Sequence, residues 1–287
     1  MSLFNAGTSQ EVSNGSTAIQ AQGDVTITNG LSAQDVKVIF ELLFENQFPK
    51  IQEIARQQAI LNGNEFQAKV ISDLHKNSKR IITDKFKDPD VQALLNDALI
   101  SASRKGEKSH PELLSKLIVE KVSSGNSDLK DIVISEAIDV IPKLTKQQIA
   151  LMCGVFILKD MQISSPSGEV IYLLSRFHDK FEKTFGLDFN LSNTNLNHIS
   201  YTGACNYNDF MGINAIDAYL GKYNNFGAAN KIEAQAKVKA VAPSIHNFLE
   251  RINTPTIGGI TLTSVGLAIA ITAINEIQQI EYSNWIR

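Results

Sequence analysis

Thr145-Lys-Gln-Gln-Ile-Ala-Leu-Met-Cys-Gly-Val-Phe-Ile-Leu-Lys159 is the stretch that decides the fold class. Thr145 with Gln148 three positions on forms a capping box: the threonine hydroxyl accepts from a free backbone N–H, and the glutamine side chain accepts from the threonine N–H. Residues 149–158 that follow are apolar almost all round, the pattern of a helix enclosed by other helices. A helix of that kind needs neighbours, and the sequence on either side supplies them.

Upstream, Asp88-Pro89 pairs an N-cap with a proline at the first helical position, ahead of Leu94, Leu95, Ala98 and Leu99 at helical spacing. That helix closes near Gly106. Pro111 opens another through Leu114, Leu117 and Ile118, closed near Gly125, and residues 128–141 are amphipathic again. Further back, Ser32 with Asp35 is a capping-box variant ahead of Val36, Ile39, Phe40, Leu43 and Phe44. Pro49 starts a helix carrying Ile51, Ile54, Ala55, Phe66, Val70, Ile71 and Leu74, with an interruption expected at Gly63-Asn64. Downstream, residues 164–168 form a loop and the expected subdomain boundary. Residues 170–185 read as a helix with Ile171, Leu174, Phe177 and Phe181 inward. Residues 190–230 are rich in asparagine, glycine and aromatics, which fits short helical pieces and loops. A helix over 231–252 is expected to bend at Pro243.

The two ends differ from this helical middle. Residues 18–28 alternate strictly: Ile19, Ala21, Gly23, Val25 and Ile27 share one face, with polar side chains on the other. Period two is a strand signal, and a strand with one apolar face needs a partner: the other half of a hairpin turning at Gly23-Asp24, the strand expected over 257–263, or the same segment of another subunit. At the other end, residues 252–275 carry no charge. Here a strand over 257–263 and a helix from Ser264 to Tyr282 are expected, with Thr263 or Ser264 as N-cap. Val265, Leu267, Ile269, Ile271 and Ile274 would then be core residues; the competing reading is a membrane-active segment.

Composition bounds the function. The chain has 287 residues, 43% of them hydrophobic and 20% charged, with a net charge of −3. That is a globular mixture with no global positive field to draw it to nucleic acid or anionic lipid. The first fifteen residues have no basic flank and no apolar run, so no signal peptide is read and the cytoplasm is expected. Cys153 and Cys205 are too few and too far apart for a disulfide framework or a zinc site, and no cofactor is expected.

Catalytic signatures are missing from the sequence. It holds no GxGxxG after a strand, no GxxxxGK[ST], no HExxH, no GxSxG and no CxxC. Arg104 and His110 have a spacing similar to that of helical ribonucleases of the HEPN type, in which an arginine and a histidine share one helix face. Gly106 and Pro111 break the helix that such an arrangement needs, so the pair is expected in a loop, apart and exposed. His178-Asp179 on a helix points to two sides and cannot act as a dyad. The basic run Lys76, Lys79, Arg80, Lys85 and Lys87 is diluted by Asp73, Asp84 and Asp88 and reads as a solvated face. Tyr201, Tyr207, Phe210, Tyr219, Tyr223 and Phe226 fit loops capping a core better than a ligand pocket.

Residues 18–28, followed by Gly30-Leu31-Ser32 and a helix to Phe48-Pro49, resemble the N-terminal arrangement of uncharacterised bacterial helical proteins. Glu136-Ala137-Ile138, Pro142-Lys143-Leu144-Thr145 and the closing Leu262-Thr263-Ser264-Val265-Gly266 are similar too, the last also to proteins of the abortive-infection, phage-defence kind. The resemblance implies a bacterial origin and a defence or stress setting, and assigns no activity.

The fold expected is mainly α: a multi-helix bundle in two subdomains, 31–165 and 166–287, after a tail and β-arm over 1–30. The function expected is a non-enzymatic interaction protein that forms a homo-oligomer through Ile19, Val25 and Ile27 of the arm, with a protein partner, and with a defence pathway as its setting. The alternatives are a membrane-perturbing effector using the apolar C-terminal segment and, behind it, a ribonuclease-like enzyme.

Overall fold

A computed structural model describes Gln34, Lys37 and residues 48–125, 127–164, 169–208 and 212–286. Helix accounts for 74% of it, and the described residues hold eleven α-helices and one two-stranded sheet. The mainly-α expectation holds. The strand over 18–28 lies outside the described residues. Two units are distinguished, Met1–Ile54 and Ala55–Arg287. Of the first, the described residues are Gln34, Lys37 and 48–54, the opening of helix α1 (Phe48–Lys76).

The second unit is built around the two most apolar helices, α5 (Lys146–Lys159) and α11 (Ser264–Ile274), which pack on each other. Both begin as the sequence dictates. Thr145 Oγ1 accepts from Gln148 N at 3.2 Å while Gln148 Oε1 accepts from Thr145 N at 2.9 Å, and Thr263 Oγ1 accepts from Gly266 N at 3.2 Å. Residues 148–158 are buried without exception, each large apolar side chain contributing about 2 kcal/mol. On one side α11 meets α3 (Pro111–Lys121) and α4 (Asp128–Val140), with α2 (Pro89–Lys105) packed beyond them. Asp88 caps α2, its carboxylate accepting from Asp90 N at 2.9 Å. On the other side α6 (Val170–Phe185) pairs with α10 (Pro243–Ile252). Between them in sequence come α7 (Asn193–Tyr201), strand β1 (Cys205–Tyr207), α8 (Ala215–Lys222) and α9 (Lys231–Val241), while strand β2 (Ile260–Leu262) precedes α11. One hydrophobic core runs from Phe66 to Ile286; of the expected boundary over 164–168, residues 165–168 lie outside the described residues.

The departures from expectation have local causes. Helix α1 runs uninterrupted through Gly63, because a Cβ there would lie 2.7 Å from Ser103 Oγ on α2; the glycine serves close packing of two helices. Pro243 splits the 231–252 helix in two, since it offers no N–H and starts a new helix instead. The last helix ends at Ile274, not Tyr282. Asn275 folds the chain back there, with Oδ1 accepting from Ile280 N at 2.6 Å and Nδ2 donating to Ile280 O at 3.2 Å. The C-terminal strand shrinks to Ile260–Leu262 after a 3₁₀ turn over Ile257–Gly259. It pairs antiparallel with β1, which the asparagine-rich composition concealed.

That pairing explains the 262–266 segment. Thr263 N donates to Ala204 O at 3.2 Å, and a Cβ on Gly266 would lie 1.9 Å from the same oxygen. The threonine caps α11 and the glycine lets its first turn rest on the backbone at Ala204, just ahead of β1.

Candidate functional site

Arg104 and His110 do not form a pair on one helix. Arg104 is exposed in the last turn of α2. Gly106, at φ 54°, ends that helix, and a 3₁₀ turn over Gly106–Ser109 leads to His110. The loop is as expected, but the exposure of His110 is not: it is 8% exposed. Its backbone is left-handed, φ 56° and ψ 58°, a conformation that costs a non-glycine residue on the order of 1–3 kcal/mol. Helix α3 accepts that conformation because the His110 carbonyl receives both Leu113 N and Leu114 N.

The ring is thereby turned inward. Nε2 lies 2.8 Å from Leu144 O, and since a carbonyl only accepts, the proton sits on Nε2. Nδ1 is then a bare acceptor, without a hydrogen-bond partner among the described residues. Burial holds the imidazole below its ordinary pKa, against the Leu144 carbonyl bond; nearby Lys146 lowers it further and Glu107 opposes. The ring lines a cavity of about 230 Å³ with Lys146, Leu113, Ile149, Thr184 and Phe185. Glu107, Glu112 and Glu276 also line it. Glu112 is bound by Lys69, and Glu276 by Lys116 at 2.8 Å. Lys146 and Glu107 have no ion pair among the described residues.

A second cleft, of about 180 Å³, lies between α1, α3 and the turn after α11, with Asp73, Arg80, Lys116, Glu120 and Tyr282 around it. Its charges are matched internally. Glu120 is 6% exposed and holds Arg80 at 2.7 Å on one oxygen and Lys130 at 2.5 Å on the other. Asp73 loses by burial but accepts from Ser115 at 2.8 Å and faces Lys69 and Lys76, which together hold its carboxyl below the usual range. Thr272 donates to Ala268 O at 2.6 Å, so the Tyr282 hydroxyl donates to Thr272. The next residue on α3, Lys121, is 2% exposed and grips Asp90 at 3.0 Å, Asp131 at 2.5 Å and Ser135 at 2.7 Å. These networks clamp α2, α3, α4 and the chain after α1. A buried pair of this kind costs several kcal/mol to break, but adds little net stability over apolar packing.

Other candidates resolve into structure. His178 is 1% exposed, with Nδ1 on Leu174 O at 2.8 Å and edge contacts to Phe177, Tyr219 and Phe248. Burial pulls its pKa to about 4. Tyr219, Tyr223 and Phe226 are buried, Tyr223 stacked on Phe226, and Tyr201 is exposed. Tyr219, Tyr223 and Phe226 fill core, in keeping with the loop-capping reading, and Phe210 lies outside the described residues. In the basic run, Lys76, Arg80, Lys85 and Lys87 are each matched to a carboxylate. Burial pushes both cysteine thiols up, and among the described residues no cluster of His, Cys, Asp and Glu suits a metal ion.

Two apolar surfaces remain. Val265, Ile269, Ile271 and Ile274 of α11 are buried and Leu267 is half-buried; no helix among the described residues is long and apolar enough to cross a membrane. Helix α1 does the reverse: Ile60, Leu61 and Ile71 are 48%, 56% and 58% exposed. These three fall within an arc of about 100° on the helical wheel, turned about 120–140° from the inward Phe66.

The chain belongs to an uncharacterised family, described as ":-like", whose model matches residues 30–231 and 210–286. No curated protein and no solved structure matches it.

Proposed function

We propose that the protein is a non-enzymatic interaction protein that self-associates, with the alternating segment 18–28 pairing between copies through Ile19, Val25 and Ile27. One observation carries this reading. The two strands among the described residues, β1 and β2, are three residues long each and pair with each other. The outward carbonyl of Ile260 on β2 is also taken, by Lys159 Nζ at 2.5 Å. An alternating segment of eleven residues needs a partner of similar length, and the same segment of a second copy is one. The outer face of α1 gives a second copy further apolar surface to cover.

The other readings have less to support them. A membrane-active C-terminal segment would have to pull α11 out of the core. A ribonuclease would need Arg104 and His110 brought from separate elements onto one face. The segment 262–266, whose resemblance implied a defence setting, is engaged in capping and close packing, so a defence role draws no support from it.

The test is mass in solution. Deleting residues 1–29 should lower the oligomeric state measured by light scattering while leaving the helical circular dichroism nearly intact. A truncated protein that keeps the full-length assembly would refute the arm as the interface.

A further inference from the structure

Helix α1 carries a second pattern on the side turned away from the core. Between Gln57 and His75 its buried positions are Gly63, Phe66 and Asp73, with Asn62, Lys69 and Val70 half-buried beside them. Counted in sevens, these fall on heptad positions b, c and f. The a positions Leu61, Ala68 and His75 and the d positions Gln57, Asn64 and Ile71 are all exposed, and none of them is Asp, Glu, Lys or Arg. At the g positions alongside, Ile60 is exposed and Leu74 half-buried. The charged residues of this stretch are Glu65, Lys69 and Asp73. Lys69 holds Glu112 and Asp73, and Asp73 accepts from Ser115, so two of the three face the body of the unit. A face that only met water would have no reason to exclude charge. An uncharged a and d repeat with apolar flanks is the pattern of a coiled-coil seam.

The seam is complementary to itself in one direction. Laid antiparallel on a second copy about a two-fold axis level with Phe66, Leu61 meets Ile71 of the second copy and Ile60 lies beside its Leu74. Ala68 meets Asn64 and Gln57 meets His75, and every contact occurs twice. Apolar side chains thus meet apolar ones, and polar side chains meet polar or small ones. Laid parallel and in register, Ile60 would instead flank Glu65 and Asn64 would face Asn64. We propose that two copies of the chain pair through α1 as an antiparallel two-helix seam between Gln57 and His75. A two-fold contact of this kind closes on itself and stops at two copies. At about five turns of helix the seam is smaller than a standard stable interface. It therefore rests on the self-association proposed above and adds a second contact to the arm. On the other flank Glu65 meets Glu65 of the second copy, and that repulsion weakens the pairing at low salt.

Oxidative cross-linking of the full chain tests both the partner and the direction. Leu61→Cys combined with Ile71→Cys sets thiols level across the seam and should give a disulfide-linked dimer. Within one helix the two positions lie about 15 Å apart, too far for an internal bridge. Leu61→Cys alone should not cross-link, and Cys153 and Cys205 are buried and take no part. All of these side chains are exposed, so the fold is untouched. Glu65→Gln removes the like-charge pair and should tighten association by about two- to fivefold at low salt. A double variant that self-associates by light scattering yet forms no cross-link would overturn the seam and leave the arm standing. So would a cross-link of equal yield in Leu61→Cys alone, the mark of a parallel pair, or unchanged association in Glu65→Gln. A cross-link that forms while deletion of residues 1–29 leaves the mass of the assembly unchanged would refute the arm and keep the seam. A parent chain that is monomeric in solution would overturn both.

Discussion

Helices α11 and α1 reverse what their compositions suggest. Helix α11 has eleven residues, no charge and a composition close to that of a membrane segment, yet nine of its residues are buried in the unit. Helix α1 has twenty-nine residues, is polar on average, and displays isoleucine and leucine to solvent. The difference teaches where an interaction surface can lie. Apolar side chains that face three neighbouring helices and strand β2 are already matched. Those opposite a helix's own inward face are not, however few they are.

The largest effect should come from breaking the interior member of that comparison. Ile271 is fully buried in α11, so Ile271→Asp places a carboxylate where no partner can reach it. Such changes lie at the severe end of single substitutions, about 5 kcal/mol, enough to leave little folded protein. Circular dichroism during urea titration would show it. A variant that folds and resists urea like the parent would mean α11 is not an interior helix.

Acid sharpens the comparison from within the same core. His178 titrates near 6.5 when unfolded, and burial brings it to about 4 in the folded protein. Between these values the unfolded chain binds a proton that the folded one refuses, so stability falls as pH falls from 6.5 towards 4. The span corresponds to about 3 kcal/mol. His110 is shifted in the same direction and adds to the slope. His178→Phe, which suits the surrounding aromatic cluster, should flatten the dependence without abolishing it. An unchanged slope in that variant would show that His178 is reached by water.

Much of this was legible in the sequence because local chemistry decides it. The caps at Asp88, Thr145 and Thr263 need only a side chain and the next three residues, and each stands where the spacing put it. The inward stripes of α3 and α6 follow from period alone, whereas that of α2 runs through Val91, Leu94, Ala98 and Ala102 and leaves Leu99 exposed. The β1 strand was hidden, since its pairing with β2 is decided by residues more than fifty positions away. The candidate site was hidden for the same reason. His110 becomes interesting only through a left-handed backbone, a carbonyl at Leu144 and a lysine at 146, none of which its neighbours announce. One signal was available. Lys121 continues the stripe of Leu114, Leu117 and Ile118, and a charge on a core stripe marks a buried ion pair.

The smallest effect on stability should come from the outer face of α1, and there it is most informative about function. Leu61→Asp and Ile71→Asp place charges on side chains already more than half exposed. Neither touches the inward face that Gly63 and Phe66 hold against the core, so each should change unfolding free energy by no more than about 0.5 kcal/mol. Helix propensity moves the same way and by as little. If the face is covered by a second copy, a charge at its centre must be desolvated on association or prevent it, and the double variant should shift towards the monomer in sedimentation. The salt dependence separates causes: two like charges meeting across an interface repel less as ionic strength rises, so salt should restore part of the lost association. An assembly unaffected by the double variant at any salt concentration would leave the arm over 18–28 as the sole contact between copies and return the α1 face to solvent.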